Sequence, residues 1–218
     1  MRRLVVFPGV LRPPSDMRLL AAVMRDQELA AGGRVLDVFT GSGALAIEAG
    51  LAGAMSVTAS DVSRLAVLNA RLNARLNRVP VRVRRGDLFE PFSGKRFDLI
   101  TANPPYLPGE DVELPRHGAA RAWEGGGDGR TLVDRFCRQC ADHLLPGGSV
   151  LMVHSSLCGE ERTGLLLQEA GLQTSVLARQ RGPLGTILSA RAESLERRGI
   201  LAPGQREEEL LVFRGDAR

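Results

Sequence analysis

The chain has 218 residues, 44% of them hydrophobic and 25% charged, with a formal net charge of +4; this is enough to bury one core without disulfide or metal staples, and it excludes a disordered chain. No run reaches the ~18 consecutive apolar residues of a membrane span, and the opening MRRLVVFPGVLRPP is interrupted by Pro8, Pro13 and Pro14 with no small-residue cleavage site following, so a cytoplasmic protein is expected. Lys95 is the only lysine beside 28 arginines, a skew that reads as coding bias in a GC-rich genome, although a modest positive field helps to capture an acidic or RNA-associated partner.

After a lead-in over residues 1–33, Arg34–Phe39 is a short apolar run that predicts a buried strand. A Gly-Ser-Gly turn leads to a helix over Ala44–Leu51, followed by a strand over Ser56–Asp61 and a helix over Val62–Arg78. Strands are predicted at Val81–Arg85 and Phe97–Ala102, the latter stopped by Pro104-Pro105. A glycine-rich loop precedes a helix over Leu132–Leu145, a Pro146-Gly147-Gly148 turn and a strand over Ser149–His154. A helix over Glu160–Ala170 and strands over Gln173–Ala178 and Glu208–Phe213 complete the chain. Alternating strands and helices specify an α/β fold on a mainly parallel sheet, and no repeat or linker divides residues 1–218.

On the helix over Val62–Arg78, Leu65, Leu68, Leu72 and Leu76 form a stripe read as core-facing. Arg64, Arg71, Arg75 and Arg78 flank it as a solvated edge or, alternatively, as a docking face. Cys137, Cys140 and Cys158 lack the paired clusters of a zinc site, so no metal is expected and the thiols read as reduced packing residues.

In open parallel sheets ligands bind beyond the carboxyl ends of the strands. The first strand ends in DVFTGSG, where Gly41 and Gly43 allow a tight turn and close approach to a bulky ligand. The turn lacks a Walker Lys-Ser/Thr and the third glycine of a dinucleotide loop. Asp61 closes the second strand, placed either to accept both ribose hydroxyls of an adenosine cofactor or to cap the following helix. Asp87, with Leu88 and Phe89 beside it, closes the third, suited to an adenine amino group or to capping a turn.

Asn103-Pro104-Pro105-Tyr106 ends the fourth strand. Two prolines remove two backbone donors and stiffen the exit, so that the Asn103 amide and the Pro104 carbonyl present two acceptors to a planar –NH₂ group. Holding both N–H bonds orients the nitrogen for methyl transfer and favours the charge that develops on it. Tyr106, the only tyrosine, is placed to pack against the flat acceptor group. His117 and His143 show no tie to the amide, and His154 reads as a packed, hydrogen-bonded histidine, so no general base is assigned.

These motifs resemble the class I S-adenosylmethionine methyltransferases of the HemK/PrmC type, which methylate the glutamine amide of translation release factors. The resemblance runs from about Pro13 to Leu177 and again at Leu210–Phe213. The string HGAARAWEGGGDGRTLVDRF, His117 to Phe136, is similar to the single-domain eukaryotic and archaeal branch, matching at Trp123, Gly125, Gly126, Gly129, Arg130, Asp134 and Arg135.

The resemblance implies a Rossmann-like class I methyltransferase fold, with a mostly parallel seven-stranded sheet and helices on both faces. It implies S-adenosyl-L-methionine as cofactor and S-adenosyl-L-homocysteine as product. Asp37, Phe39, Thr40, Gly41 and Gly43 would line the methionine end, Asp61 and Val62 the ribose, Asp87 and Leu88 the adenine, with Asn103 bordering the cofactor. Pro13–Asp16 would fold over the cofactor, Asp16 contacting it, and Asn103, Pro104, Pro105 and Tyr106 would hold the substrate amide. Three departures stand out: Met17 replaces the family's threonine; Phe39 replaces the first glycine of the turn, so that the turn must begin differently; and the stretch 179–207, helical over Leu188–Arg198, is an insertion that could cover the substrate mouth.

The leading reading is an N5-glutamine methyltransferase acting on a release factor. The alternatives are an N-methyltransferase of a small metabolite or of a flipped nucleic-acid base, or a cofactor-binding partner subunit without catalysis. An aromatic content of 4% and the absence of a recognisable binding module speak against direct nucleic-acid binding. The eukaryotic branch works with a small zinc-binding partner; the sequence does not say whether this chain needs one.

Overall fold

Residues 3–115 and 118–218 are described by a computed structural model; His117 lies outside them. Strands β1 (Arg34–Val38), β2 (Ser56–Asp61), β3 (Val81–Arg85), β4 (Phe97–Ala102) and β5 (Leu144–Ser155) pair in parallel, while β7 (Glu207–Asp216) runs antiparallel between β5 and β6 (Gln173–Pro183). The sheet order is β3-β2-β1-β4-β5-β7-β6, so strand order reverses between β1 and β4.

The period of two along each central strand divides the core. Leu36, Ile100 and Met152 face one side with Phe136 of α4 (Thr131–Gln139) and Leu167 of α5 (Glu160–Glu169). Val35, Leu99 and Leu151 face the other, with Leu20 and Met24 of α1 (Ser15–Asp26), Leu45 of α2 (Ala44–Leu51) and Val67 of α3 (Arg64–Leu76). Helices cover both faces, which is why these strands read as nearly continuous apolar runs.

Four expectations change. The lead-in contains α1, whose Leu20, Val23 and Met24 are buried beneath its polar face. Pro146-Gly147-Gly148 is an irregularity inside β5 rather than a turn before it: Phe97 pairs with Leu144 and Leu99 with Ser149, so the extra residues bulge out. The insertion over 179–207 consists partly of longer strands. Between them α6 (Thr186–Ala190) and α7 (Ala192–Arg197) close a small core of Leu184, Leu188, Leu195 and Leu201.

The leucine stripe of α3 does not face the core. Leu65, Leu68 and Leu76 are exposed, and the buried face carries Ala66, Val67, Asn69, Ala70, Asn73 and Ala74. Close helix packing is the cause, because a Cβ on Gly43 would lie 2.9 Å from the Ala70 Cα, so bulky side chains cannot face α2. Asn69 and Asn73 are fully buried because they grip the N-terminal segment. Val5 N–H donates to Asn73 Oδ1 (2.9 Å), Phe7 N–H donates to Asn69 Oδ1 (2.9 Å), and both asparagines donate back to the Val5 carbonyl (2.8 Å each). Asn77 repeats the pattern with Arg3. Residues spaced by four on one helix face thus hold alternate residues of an extended strap. The Cys137, Cys140 and Cys158 thiols are buried, and burial pushes the pKa values of Cys137 and Cys158 up to about 12 and that of Cys140 well above its ordinary value.

Candidate active site

The carboxyl ends of β1 to β4 converge at the strand-order switch. After β1, Phe39 itself adopts the left-handed conformation (φ +61°), followed by Gly41 at φ +53°. The turn therefore keeps a glycine-like path without the glycine, at a backbone cost of roughly 1–2 kcal/mol; the Phe39 ring packs 6.5 Å from that of Phe136. Asp37 is buried, accepting from the Thr40 hydroxyl (2.6 Å) and the Thr101 hydroxyl (2.8 Å). Burial raises its pKa from 3.8 to about 6, against the lowering effect of those hydroxyls. Asp61 Oδ2 accepts from Gly41 N–H and Oδ1 from Ser63 N–H, both at 2.9 Å. The α3 cap is Ser63, whose side chain accepts from Ala66 N–H, so Asp61 organises the turn instead of capping the helix. Burial raises the Asp61 pKa as well, while Arg121 pulls it back.

These groups border a cavity of about 560 Å³ that also meets Val62, Asp87, Leu88 and Asn103, within the range of cofactor sites. Its roof is the strap from Gly9 to Pro14 and the segment around Arg121. Asp87 Oδ2 accepts from Arg135 at 2.7 Å, a partner 48 residues away that the sequence reading did not connect to it. Phe89 is withdrawn into the core, stacked on His143 with ring centroids 4.6 Å apart.

A second cavity, of about 470 Å³, lies on the other side of Asn103, bordered by Asp16, Pro104, Tyr106, Trp123, Leu188 and Glu208. Asn103 and Pro14 belong to both. Two expected cofactor contacts move. Asp16 borders this second cavity and not the first, because as the second residue of α1 it turns inward to accept from the Tyr106 hydroxyl (2.6 Å). Gly43 leaves the cavity wall, its missing Cβ making room for Ala70. Pro105 borders the first cavity, and Pro104 and Tyr106 the second. Tyr106 is largely buried and its pKa is raised by burial and by Asp16, so its hydroxyl stays a donor.

The loop after Tyr106 is braced by backbone. Leu107 N–H donates to Trp123 O (2.7 Å) and Gly125 N–H to Leu107 O (2.9 Å). A Cβ on Gly129 would sit 2.1 Å from Tyr106 O, so only glycine lets the loop press on the corner from behind. Buried Arg130 then ties the loop to α4 through Asp134 Oδ1 (2.8 Å), to the turn before α5 through Cys158 O (2.7 Å) and to α5 through the Thr163 hydroxyl (2.6 Å). His154 contacts the same Thr163 hydroxyl at 2.8 Å and stacks on Phe213; burial lowers its pKa to about 4. It is a neutral packed histidine. The insertion reaches the second cavity through Thr186, Ile187 and Leu188 and is anchored by Arg191 to Glu124 and to Pro108 O.

Among the described residues, the second cavity has Asp16 and Glu208 as its charged wall residues and no Arg, Lys or His. Trp123 Nε1 and Glu208 Oε2 are buried there without a hydrogen-bond partner among the described residues. Among those residues no group of three or more His, Cys, Asp or Glu is placed to hold a metal ion, and no helix is long and apolar enough to cross a membrane.

Comparison with known proteins matches residues 15–117 to the methyltransferase small domain family. A putative protein N5-glutamine methyltransferase of Methanocaldococcus jannaschii is 34% identical over 186 residues, covering 85% of this chain and 92% of that protein. A release factor glutamine methyltransferase of Bordetella pertussis is 36% identical over 173 residues, covering 76% of this chain and 64% of its own length. Among solved structures, the E. cuniculi Mtq2–Trm112 complex, described as methylating the eRF1 termination factor, superposes with a TM-score of 0.66 at 19% identity, covering 97% of this chain and 100% of that one. The mostly parallel seven-stranded sheet is the class I methyltransferase arrangement, as expected.

Proposed function

The chain belongs to the protein N5-glutamine methyltransferases of the HemK/PrmC type, and from that premise we propose that residues 1–218 act as one S-adenosylmethionine-dependent unit in the cytoplasm, methylating the side-chain amide of a glutamine in a translation release factor. The observation that carries this reading is Asn103 standing as the common wall of two cavities.

The first cavity suits the cofactor by charge and size. Asp37 and Asp61 offer carboxylates to a cationic methionine end and to ribose hydroxyls, and Leu88 offers an apolar surface to adenine beside the Asp87–Arg135 pair. When bound, S-adenosylmethionine supplies a methyl group activated by its positive sulfur. The chain's own residues do the rest. The Asn103 side-chain oxygen and the Pro104 carbonyl accept the two N–H bonds of the substrate amide, fixing the nitrogen and favouring the charge that grows on it. That nitrogen sheds its extra proton to solvent after transfer, without a dedicated base.

The second cavity favours a protein amide over a nucleic-acid base. A flipped base brings phosphates, which are held chiefly by Arg and Lys, and the charged groups this cavity presents among the described residues are carboxylates. The test is transfer of labelled methyl groups to a purified release factor and to the same factor with its Gly-Gly-Gln glutamine replaced by alanine. Label on that glutamine alone supports the reading, whereas label in the RNA or metabolite fraction of a host extract overturns it. Omitting or adding a zinc-binding partner in the same assay decides whether activation of the kind suggested by the Mtq2–Trm112 complex is needed.

A further inference from the structure

We propose that the helical insertion is a wall that holds the methyl acceptor, and that Arg191 and Arg198 are positioning residues which fix this wall in register against the loop that follows Tyr106. The inference rests on the second cavity being the acceptor site, as read above, and not on the identity of the acceptor.

That loop has two limbs, residues 107–109 and 123–127. Backbone bonds join them, from Leu107 N–H to Trp123 O (2.7 Å), from Gly125 N–H to Leu107 O (2.9 Å) and from Gly109 N–H to Gly126 O (2.9 Å). Helix α7 is tied to both limbs at each of its ends. Arg191, the residue before the helix, donates to Pro108 O at 2.9 Å and pairs with Glu124. Arg198, the residue after it, donates to Gly109 O at 2.8 Å and to Gly127 O. Each guanidinium thus takes one partner from each limb. A planar fork of fixed donors suits that task, whereas a lysine ammonium is a point charge on a flexible stem.

These ties act on the second cavity through the insertion itself. Arg191 also closes α6, whose Thr186, Ile187 and Leu188 border that cavity. Leu188 of α6 and Leu195 of α7 share the insertion's small buried core, which joins the two helices into one piece. Ile187 stands outside that core, half-buried, with its apolar side chain at the cavity. Every residue that the insertion adds to the cavity is uncharged, so it grips by shape and apolar contact. Among the described residues, none from 179–207 borders the first cavity. The insertion therefore serves the acceptor side and leaves the cofactor side to the strands.

The experiment measures acceptor KM and kcat for Ile187→Ala, Arg198→Ala and the double variant, on whichever acceptor the wild-type chain labels. Ile187→Ala removes apolar contact and should raise KM about tenfold with kcat nearly unchanged, the pattern of a contact made equally in the ground and transition states. Arg198→Ala should do the same although Arg198 does not touch the cavity, and Arg198→Lys should regain part of the loss. Arg191→Lys, which keeps a charge beside Glu124 but gives up the fixed fork, should follow Arg198→Lys. Cofactor affinity by calorimetry should not change in the Ile187 and Arg198 variants. The double variant tests the coupling: a wall already out of register has little left to lose at Ile187, so its KM should stay close to that of Arg198→Ala. Additive KM effects in the double variant, an unchanged KM in either single variant, or a fall in kcat at constant KM would each overturn the proposal. If Arg198→Ala does not fold, the same cycle is built on Arg198→Lys, and additivity there is equally fatal. Asn103→Ala, run alongside, separates the two readings. Loss of turnover in it beside wild-type kinetics in the Ile187 and Arg198 variants overturns this proposal and leaves the acceptor cavity standing; unaltered turnover in it overturns the acceptor reading as well.

Discussion

The side-chain amide of Asn73 accepts from Val5 N–H at 2.9 Å and donates to Val5 O at 2.8 Å, and it also donates to Ser42 O at 2.9 Å. One buried side chain thus joins the N-terminal strap, the third helix and the turn after the first strand. Asn73→Ala would strip this partner from Val5 N–H and Ser42 O, each worth about 1–3 kcal/mol when left unsatisfied, while the Val5 carbonyl keeps Asn69. We expect a fall in melting temperature of several degrees and weaker cofactor binding, because the freed strap is the roof of the cofactor cavity. Thermal unfolding and calorimetry check both; unchanged cofactor affinity would show that the strap does not close the cavity.

Asn103→Ala separates binding from chemistry. It removes the proposed acceptor for the substrate amide while leaving Asp37 and Asp61 in place, so turnover should drop by roughly a hundredfold or more with cofactor affinity nearly intact. Asp61→Ala should do the reverse and weaken cofactor binding first. Parallel loss of binding and activity in the Asn103 variant contradicts its assignment to the acceptor side.

Asp37 gives the site a pH dependence. Its folded pKa, raised by burial from 3.8 to about 6, means that between those values the folded protein holds a proton the unfolded chain has released. Its protonation therefore favours the fold below pH 3.8, and that contribution is lost as pH rises through 6, a swing of about 3 kcal/mol at most. A cationic ligand beside Asp37 favours the ionised form. Cofactor affinity should accordingly weaken as pH falls below 6, and binding near pH 6 should release a fraction of a proton. Calorimetry in buffers of different ionisation enthalpy measures that release, and Asp37→Asn should abolish it.

Gly129→Ala tests the brace behind the catalytic corner. The added Cβ would lie 2.1 Å from Tyr106 O at a backbone φ of +75°, so the loop must withdraw or the corner must move. Activity should be nearly lost while cofactor affinity changes little. Full activity would mean that the corner holds its shape without the loop.

Much of this protein is written locally. Apolar runs ending in Asp37, Asp61 and Asp87 marked the strands and the rim of the cavity, because a strand buried on both faces leaves a hydrophobic signature and polar residues gather where it emerges. The Asn-Pro-Pro-Tyr corner was legible because proline fixes the backbone regardless of its surroundings. Periodicity misled on α3: its leucines read as core-facing, yet Leu68 stays exposed while the strap satisfies Asn69 and Asn73 in the interior. Sequence alone thus determined the strands, the acidic rim and the proline corner, each by the conformational or burial preference of neighbouring residues. Only the tertiary structure decided that Asp16 accepts from Tyr106, that Arg135 pairs with Asp87, and that Gly43 serves helix packing. Those facts depend on which distant groups come to share a space, and a linear pattern carries no record of that.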